Sequence, residues 1–238
     1  MPLTIETPME LVSLLSSMEG RSQEYGRPWV TLSYAQSLDG SIAAQRSEPL
    51  ALSGAATQKI THDLRAKHSV ILVGIGTLLA DDPQLNVRLV TGSDPQPVVL
   101  DRQLRFPIDA RLLRGQKSPW IFTNKNVHSE HEASLTNNGA RVFRPDHEMF
   151  SIDEILSVLG QEGMSSIMVE GGAGVITSFL KAQLVDLIVL TIASRLVGGI
   201  RGIDSLLAAN GPYLEKFGVE RFDNDLLVWG CPRWTKGI

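Results

Sequence analysis

Two glycine turns carry the strongest chemical signal in this sequence. Gly74-x-Gly76-x-x-Leu79 follows the apolar run Val70-Ile71-Leu72-Val73, and Gly172-x-Gly174-x-x-Thr177 follows Ile167-Met168-Val169. A glycine turn between strand and helix presents backbone amides at the helix N-terminus, where a phosphate can bind. Neither turn has the third glycine of a dinucleotide fingerprint, and such turns also serve as plain tight connections. Glu170 stands immediately before the second turn, either facing a cleft or capping the next helix. Asp81-Asp82-Pro83 is also open to two readings, as carboxylates for chemistry or as the stop of a helix before proline. Arg65 and Arg88 flank the first turn, and guanidinium forks suit bidentate phosphate recognition.

Other chemistries find less support. His62 and His68 are too far apart in sequence to share a helix face, no cysteine or further histidine stands near them, and no metal is expected. No nucleophile sits beside a base in the manner of a hydrolase. Cys231 is the single cysteine, which forbids an internal disulfide and fits a reducing, cytoplasmic compartment. The 238 residues carry 22 basic and 26 acidic side chains, a net charge of −4 that attracts no nucleic-acid backbone. Hydrophobic residues at 43% with charged residues at 20% are those of a globular chain large enough for a substantial core. The start of the chain lacks a basic, apolar leader, and Leu184 to Ala193, interrupted by Asp186, is too short for a membrane span and reads as a buried strand.

The elements that position these residues follow from periodicity. Thr7-Pro8-Met9-Glu10 predicts a helix start capped by Thr7, with Leu11, Leu14, Leu15 and Met18 at helical spacing and Gly20 as its end. Trp29 to Gln36 predicts a strand entering the Asp39-Gly40 turn. Ser53 is expected to cap a helix from Ala55 to Lys67, which leads into the Ser69–Val73 strand and its glycine turn. Strands at Pro97–Asp101 and Trp120–Thr123, a helix at Ser151–Leu159, a strand at Ile167–Glu170 and a helix from Val175 to Leu184 come next. Val185–Ile192 and Asp225–Gly230 close the chain as strands. Helices alternating with strands imply a largely parallel sheet. The four tryptophans, Trp29, Trp120, Trp229 and Trp234, are expected in the core or an interface.

The residues in order resemble a family. Val30 to Ala43 with Ser37-Leu38-Asp39-Gly40, then Leu64-Arg65-Ala66, then Val73 through Arg88, is similar to the pyrimidine reductases of riboflavin biosynthesis. The likeness continues through Val99-Leu100-Asp101, Val169 to Gly174 and Leu196-Val197-Gly198-Gly199. It implies a dihydrofolate-reductase-like α/β fold of three layers: a central mixed, mostly parallel sheet with helices on both faces. An N-terminal helical extension, 1–27, then precedes a reductase domain, 28–238. The resemblance further implies NADPH, a homodimer and a phosphoribosylamino-pyrimidine substrate whose ribosyl group becomes ribityl, the uracil form being favoured over the 2,5-diamino-pyrimidinone. The resemblance implies that the ribose opens to a Schiff base whose C1′ receives hydride.

By position, the resemblance makes Thr77, Asp81 and the run Gly172, Ala173, Gly174, Val175, Ile176, Thr177 and Ser178 cofactor contacts. Arg65, Leu85 and Arg88 become substrate contacts. Glu170 faces the ribosyl or pyrimidine part, and with Asp81 is expected at the reacting centre. The chain also departs from the pattern. Ser41 stands where relatives often carry lysine, Ala51 where tryptophan or arginine precedes the helix cap on the cofactor side, and Arg102 where serine is common. Arg102 is expected to meet the adenosine 2′-phosphate. One cysteine cannot build the zinc deaminase that many relatives carry fused to this half. The rival readings are a divergent reductase of the same fold, a non-catalytic nucleotide-binding protein and an ordinary Rossmann dehydrogenase.

Overall fold

The computed structural model describes residues 6–45, 48, 50–127, 129–203 and 211–234. Its strands are β1 (Trp29–Ser37), β2 (Ser41–Ala43), β3 (Val70–Gly74), β4 (Gln96–Leu100), β5 (Trp120–Phe122), β6 (Arg141–Phe143), β7 (Ser166–Gly171), β8 (Leu187–Ala193), β9 (Ile200–Arg201), β10 (Tyr213–Phe222) and β11 (Asp225–Arg233). The helices are α1 (Met9–Ser16), α2 (Met18–Tyr25), α3 (Ala55–Lys67), α4 (Ile75–Asp81), α5 (Ser129–Asn137), α6 (Ile152–Gln161) and α7 (Ala173–Lys181). Nine strands form one sheet in the order β10-β11-β8-β1-β7-β3-β4-β5-β6, and β2 pairs separately with β9. From β6 across to β8 every neighbouring pair is parallel, and β11 runs antiparallel to both β8 and β10. The expected mixed, mostly parallel sheet is therefore present.

Burial explains the strand sequences. Val70 to Gly74 lies mid-sheet, covered on both faces, so all five residues are buried and the run is uniformly apolar. β8 stands next to the antiparallel end and alternates buried with half-buried residues. One face packs Val30, Leu32, Leu72 and Val169 against Leu156 and Leu159 of α6 and Ile176 and Phe179 of α7. The opposite face packs Trp29, Met168, Leu187 and Trp229 against Ile60 and Leu64 of α3, with Leu11, Leu15 and Met18 in the same cluster. Asp186, which interrupts the apolar run in sequence, accepts a bidentate pair from Arg27 at 2.8 Å and the Val30 amide at 2.8 Å, pinning the entry to β1.

Several predicted caps are corrected. Thr7 does not cap α1, because its hydroxyl donates to Asp63 at 2.7 Å; Pro8 occupies the cap position without a side-chain bond. Gly20 does not end the first helix. The break falls at Ser17, and α2 runs on to Gly26, whose left-handed conformation at φ 64° closes it. Ser53 does not cap α3 either: Gly54 is the cap, and the Asp225 carboxylate accepts both the Gly54 amide at 2.7 Å and the Thr57 hydroxyl at 2.6 Å. By contrast Ser151 and Glu154 form a reciprocal capping box on α6. The second turn's helix begins two residues earlier than expected, at Ala173, and ends at Lys181. Strand β10, which the sequence did not announce, adds an edge beside β11.

His68 ties α3 to β1. Its Nδ1–H donates to the Leu64 carbonyl and its Nε2 accepts from the Thr31 hydroxyl, both at 2.7 Å. Burial pushes the ring's pKa down to about 4, below the ordinary histidine value. An unfolded chain therefore takes up this proton first as pH falls, and the stability of the neutral ring, whole above about pH 6.5, is lost on approach to pH 4. Urea unfolding across that window is expected to lose about 3 kcal/mol through His68. His68→Gln should flatten the dependence, and an unchanged slope would contradict the assignment.

Candidate active site

Strands β3 and β7 are neighbours in the sheet, so the two glycine turns at their carboxyl ends lie side by side. A Cβ on Gly74 would come within 2.8 Å of Val175 Cγ2, and one on Gly172 within 3.2 Å of Thr77 Oγ1. At both positions a side chain would collide with one from the other turn, so glycine is what lets the two turns pack together. Gly171 at φ 140° adopts a conformation that essentially only glycine tolerates. Gly172 caps α7 with no side chain to bond the first turn; its carbonyl takes the Val175 and Ile176 amides at 3.0 Å.

A cleft of about 1720 Å³ runs over these turns, lined among others by Gly76, Thr77, Asp81, Arg102, Gly172 and Ser178. A smaller cleft of about 430 Å³ adjoins it, lined by Tyr34, His62, Arg65, Arg88, Glu170 and Gly171. Ile42, Leu50, Thr77, Asp81 and Gly172 line both, so the two clefts meet over the first turn. The carboxyl ends of parallel strands are where ligands bind in such sheets.

The smaller cleft is organised by charge. Glu170 Oε1 and Oε2 accept from Arg65 Nε and Nη2 at 2.6 and 2.7 Å, with both side chains largely buried. Burial opposes the Arg65 charge, but the Glu170 carboxylate more than offsets this and holds its pKa above the ordinary value. Arg65 Nη1 donates to the Asn86 carbonyl at 3.0 Å. The two residues expected to meet substrate separately are thus each other's partner. Arg88, by contrast, is exposed and makes one side-chain bond, to Asn86 Oδ1 at 3.0 Å. Burial and the neighbouring Arg65 and Arg111 charges lower its pKa. Burial raises the Asp81 carboxyl where the clefts meet, and pushes the Tyr34 phenol up to about 12, so the phenol stays protonated.

The remaining predicted site residues fall in several places. Ala173, Gly174 and Val175 line the larger cleft with Arg102, whose side chain is exposed at its rim. Ala51 lines the smaller cleft rather than the larger. Ile176 also touches the smaller cleft but is fully buried in the core, and Thr177 is buried and lines neither. Leu85 is buried in a core cluster with Leu78 and Phe106 and lines neither cleft. Asp82 ends α4 in a left-handed conformation and accepts the Arg111 amide at 2.9 Å, the helix-stop reading of the acidic pair. Ser41 is buried, its hydroxyl donating to Asp39 at 2.7 Å and accepting from the Gly199 amide at 3.0 Å. Asp39 also takes the Ser37 hydroxyl and the Val197 and Gly198 amides, bonds that hold its carboxyl far below the usual range.

Arg105 and Tyr34 line the clefts without having been singled out, and His62, weighed only as half of a metal pair, lines the smaller one. Arg105 had a signal in its proximity to Arg102, whereas the other two depended on which face of β1 and α3 met the sheet end. Among the described residues no group of three or more His, Cys, Asp and Glu side chains is placed to hold a metal ion. Among them, too, no helix is long and apolar enough to cross a membrane.

The fold is that of dihydrofolate reductase: the Enterococcus faecalis enzyme complexed with NADP(H) superposes with a TM-score of 0.50 over 85% of this chain and 96% of that one, at 13% identity. Within that fold class the chain belongs to the RibD C-terminal domain family, whose model matches residues 28–228. The 2,5-diamino-6-ribosylamino-4(3H)-pyrimidinone 5′-phosphate reductase of Debaryomyces hansenii is 36% identical, covering 80% of this chain and 87% of that protein. Riboflavin biosynthesis protein RibD of Aquifex aeolicus is 33% identical over 85% of this chain and 57% of its own length. Acinetobacter baumannii RibD, form 1, superposes with a TM-score of 0.80 at 25% identity, covering 94% of this chain and 63% of that one. The chain thus spans little more than half of the RibD proteins and most of the yeast reductase.

The Arg65–Glu170 pair predicts a coupled defect. Glu170→Gln strands a largely buried guanidinium and should cost about 3 kcal/mol of unfolding free energy. Adding Arg65→Met should recover part of that loss, and strictly additive costs in a double-mutant cycle would show the pair to be energetically idle.

Proposed function

We propose that the chain is an NADPH-dependent reductase of riboflavin biosynthesis that converts a 5-amino-6-(5-phosphoribosylamino)pyrimidine to its ribitylamino product. The observation that carries this reading is the pair of clefts meeting over the first glycine turn, one walled by close-packed backbone and the other by arginines and a carboxylate. The names of the relatives from Debaryomyces and Aquifex point the same way.

The larger cleft fits a dinucleotide. Gly76 and Gly174 line it with bare backbone and open space where a side chain would stand, and Arg102 and Arg105 stand exposed on one wall as anion partners. Thr77, Asp81, Gly172–Val175 and Ser178 would hold the cofactor, which when bound supplies the hydride. The smaller cleft receives the substrate. Arg88, the less engaged of the two arginines, meets the phosphate, while Arg65 is held by Glu170 and shapes the wall behind it. Asp81, in both clefts and with a raised pKa, stands where the reacting atoms of the two ligands meet and is placed to handle a proton there. Glu170, paired with Arg65 and immediately preceding the glycine turn, orients the ribosyl part through that fixed pair.

The proposal extends to a cytoplasmic homodimer. Edge strand β10 exposes Tyr213, Phe217 and Val219, and neighbouring Leu226 is exposed too, apolar surface of the kind a second copy would cover. Half-buried Cys231, its thiol pushed up by burial, fits a reducing compartment.

Anaerobic NADPH oxidation with the uracil and diamino-pyrimidinone ribosyl phosphates, followed by product identification, tests the reaction. A ribityl product from either supports it; no oxidation despite NADPH binding overturns it in favour of a divergent reductase or a binding protein. Arg88→Ala should raise the substrate KM about tenfold or more with little change in NADPH affinity. Arg102→Ala should narrow the preference for NADPH over NADH, and an unchanged preference would remove Arg102 from the 2′-phosphate.

A further inference from the structure

His62 lines the smaller cleft, yet the proposed reaction gives it no part. It projects from α3, is 3% exposed, and its Nδ1 accepts the Arg88 backbone amide at 3.1 Å. A backbone N–H can only donate, so Nδ1 is the unprotonated nitrogen and the ring proton sits on Nε2. Nε2 has no hydrogen-bond partner among the described residues. Burial and the facing Arg65 and Arg88 charges, outweighing Glu170 and Asp94, push the ring's pKa down to about 4 and keep it neutral.

The same hydrogen bond belongs to a set that fixes one short segment. Arg65 Nη1 binds the Asn86 carbonyl at 3.0 Å, the Val87 amide donates to Asp94 at 2.7 Å, and the Arg88 amide donates to His62. Three successive residues are thereby held from two sides, and the Arg88 side chain leaves from a fixed point beside the cleft. A neutral histidine donor next to an arginine suits a phosphate better than a second full charge packed against the first, because like charges in a half-buried site repel.

We propose that His62 is a positioning residue of a phosphate subsite in the smaller cleft: its Nδ1 fixes the Arg88 main chain, and its Nε2–H is an uncharged second donor to the anion that Arg88 binds. This rests on the reading that a phosphorylated substrate occupies the smaller cleft.

Two variants separate the roles. In His62→Asn the side-chain oxygen can take the place of Nδ1 and keep the Arg88 anchor while the distal donor is lost; His62→Phe loses both. The readout is kcat/KM for the phosphorylated substrate relative to its dephosphorylated riboside. His62→Asn should lose about tenfold of the preference for phosphate through KM, and His62→Phe more. Equal losses on both substrates would mark a merely structural residue and overturn the proposal, as would an unchanged preference. NADPH titration confirms that each variant is folded. If the wild type turns over neither pyrimidine, the reading of the reaction fails while the subsite is still decided by calorimetry with ribose 5-phosphate. Binding that weakens in His62→Asn supports the subsite, and equal binding, or none to the wild type, overturns it.

Discussion

A guanidinium from α3 and a carboxylate at the end of β7 meet through two short hydrogen bonds, and the smaller cleft is built around that pair. Arg65 spends its remaining contact on the Asn86 carbonyl, so the segment leading to Arg88 is referenced to the same charge. Glu170 is followed at once by the glycine turn, so the larger cleft is referenced to it as well. A largely buried charge pair of this kind adds little net stability, because desolvation offsets its attraction. Its effect is geometric: it holds three walls of two clefts in one frame, as a reaction between two bound molecules requires.

The sheet supplies the rest of that frame. Adjacent parallel strands place β3 and β7 turns within van der Waals reach, and glycine at positions 74 and 172 lets the chains close to that distance. Core clusters on both faces pack the strands, so the site stands at the end of the best-buried part of the sheet. The loops beyond β1 and β8 are held in turn by Asp39, whose carboxylate gathers two hydroxyls and two amides. Ser41 takes part in that clamp, so its buried hydroxyl both donates and accepts there.

Much of the architecture was legible in order of residues. The uniformly apolar Val70–Val73 and Ile167–Val169 runs announced strands, and the helix read over Ser151–Leu159 forms from Ile152 to Gln161 with Ser151 as its cap. Where local signals failed, a distant partner had taken the group. Thr7 had the right type and place for a cap, but Asp63 receives its hydroxyl. Ser53 lost α3 to the Asp225 carboxylate, which binds from the far end of the chain. Strand β10 was silent because an edge strand exposed on most positions has no alternating apolar pattern, and only its pairing with β11 defines it.

For the site, the sequence by itself determined the inventory: two glycine turns at strand ends, a carboxylate before one, arginines around the other, and a family pattern joining them. Glycine at a tight approach and arginine for an anion are choices of chemistry that residue type alone expresses. The tertiary structure decided which groups meet. Arg65 and Glu170 are 105 residues apart and become partners only when α3 packs across the sheet at β7. His62 becomes a neutral donor only when the Arg88 amide reaches it. Leu85 and Thr177 pass into the core, out of reach of the clefts. Such outcomes depend on strand order and helix placement, which are set by the burial of the whole chain and are not written in any local stretch of it.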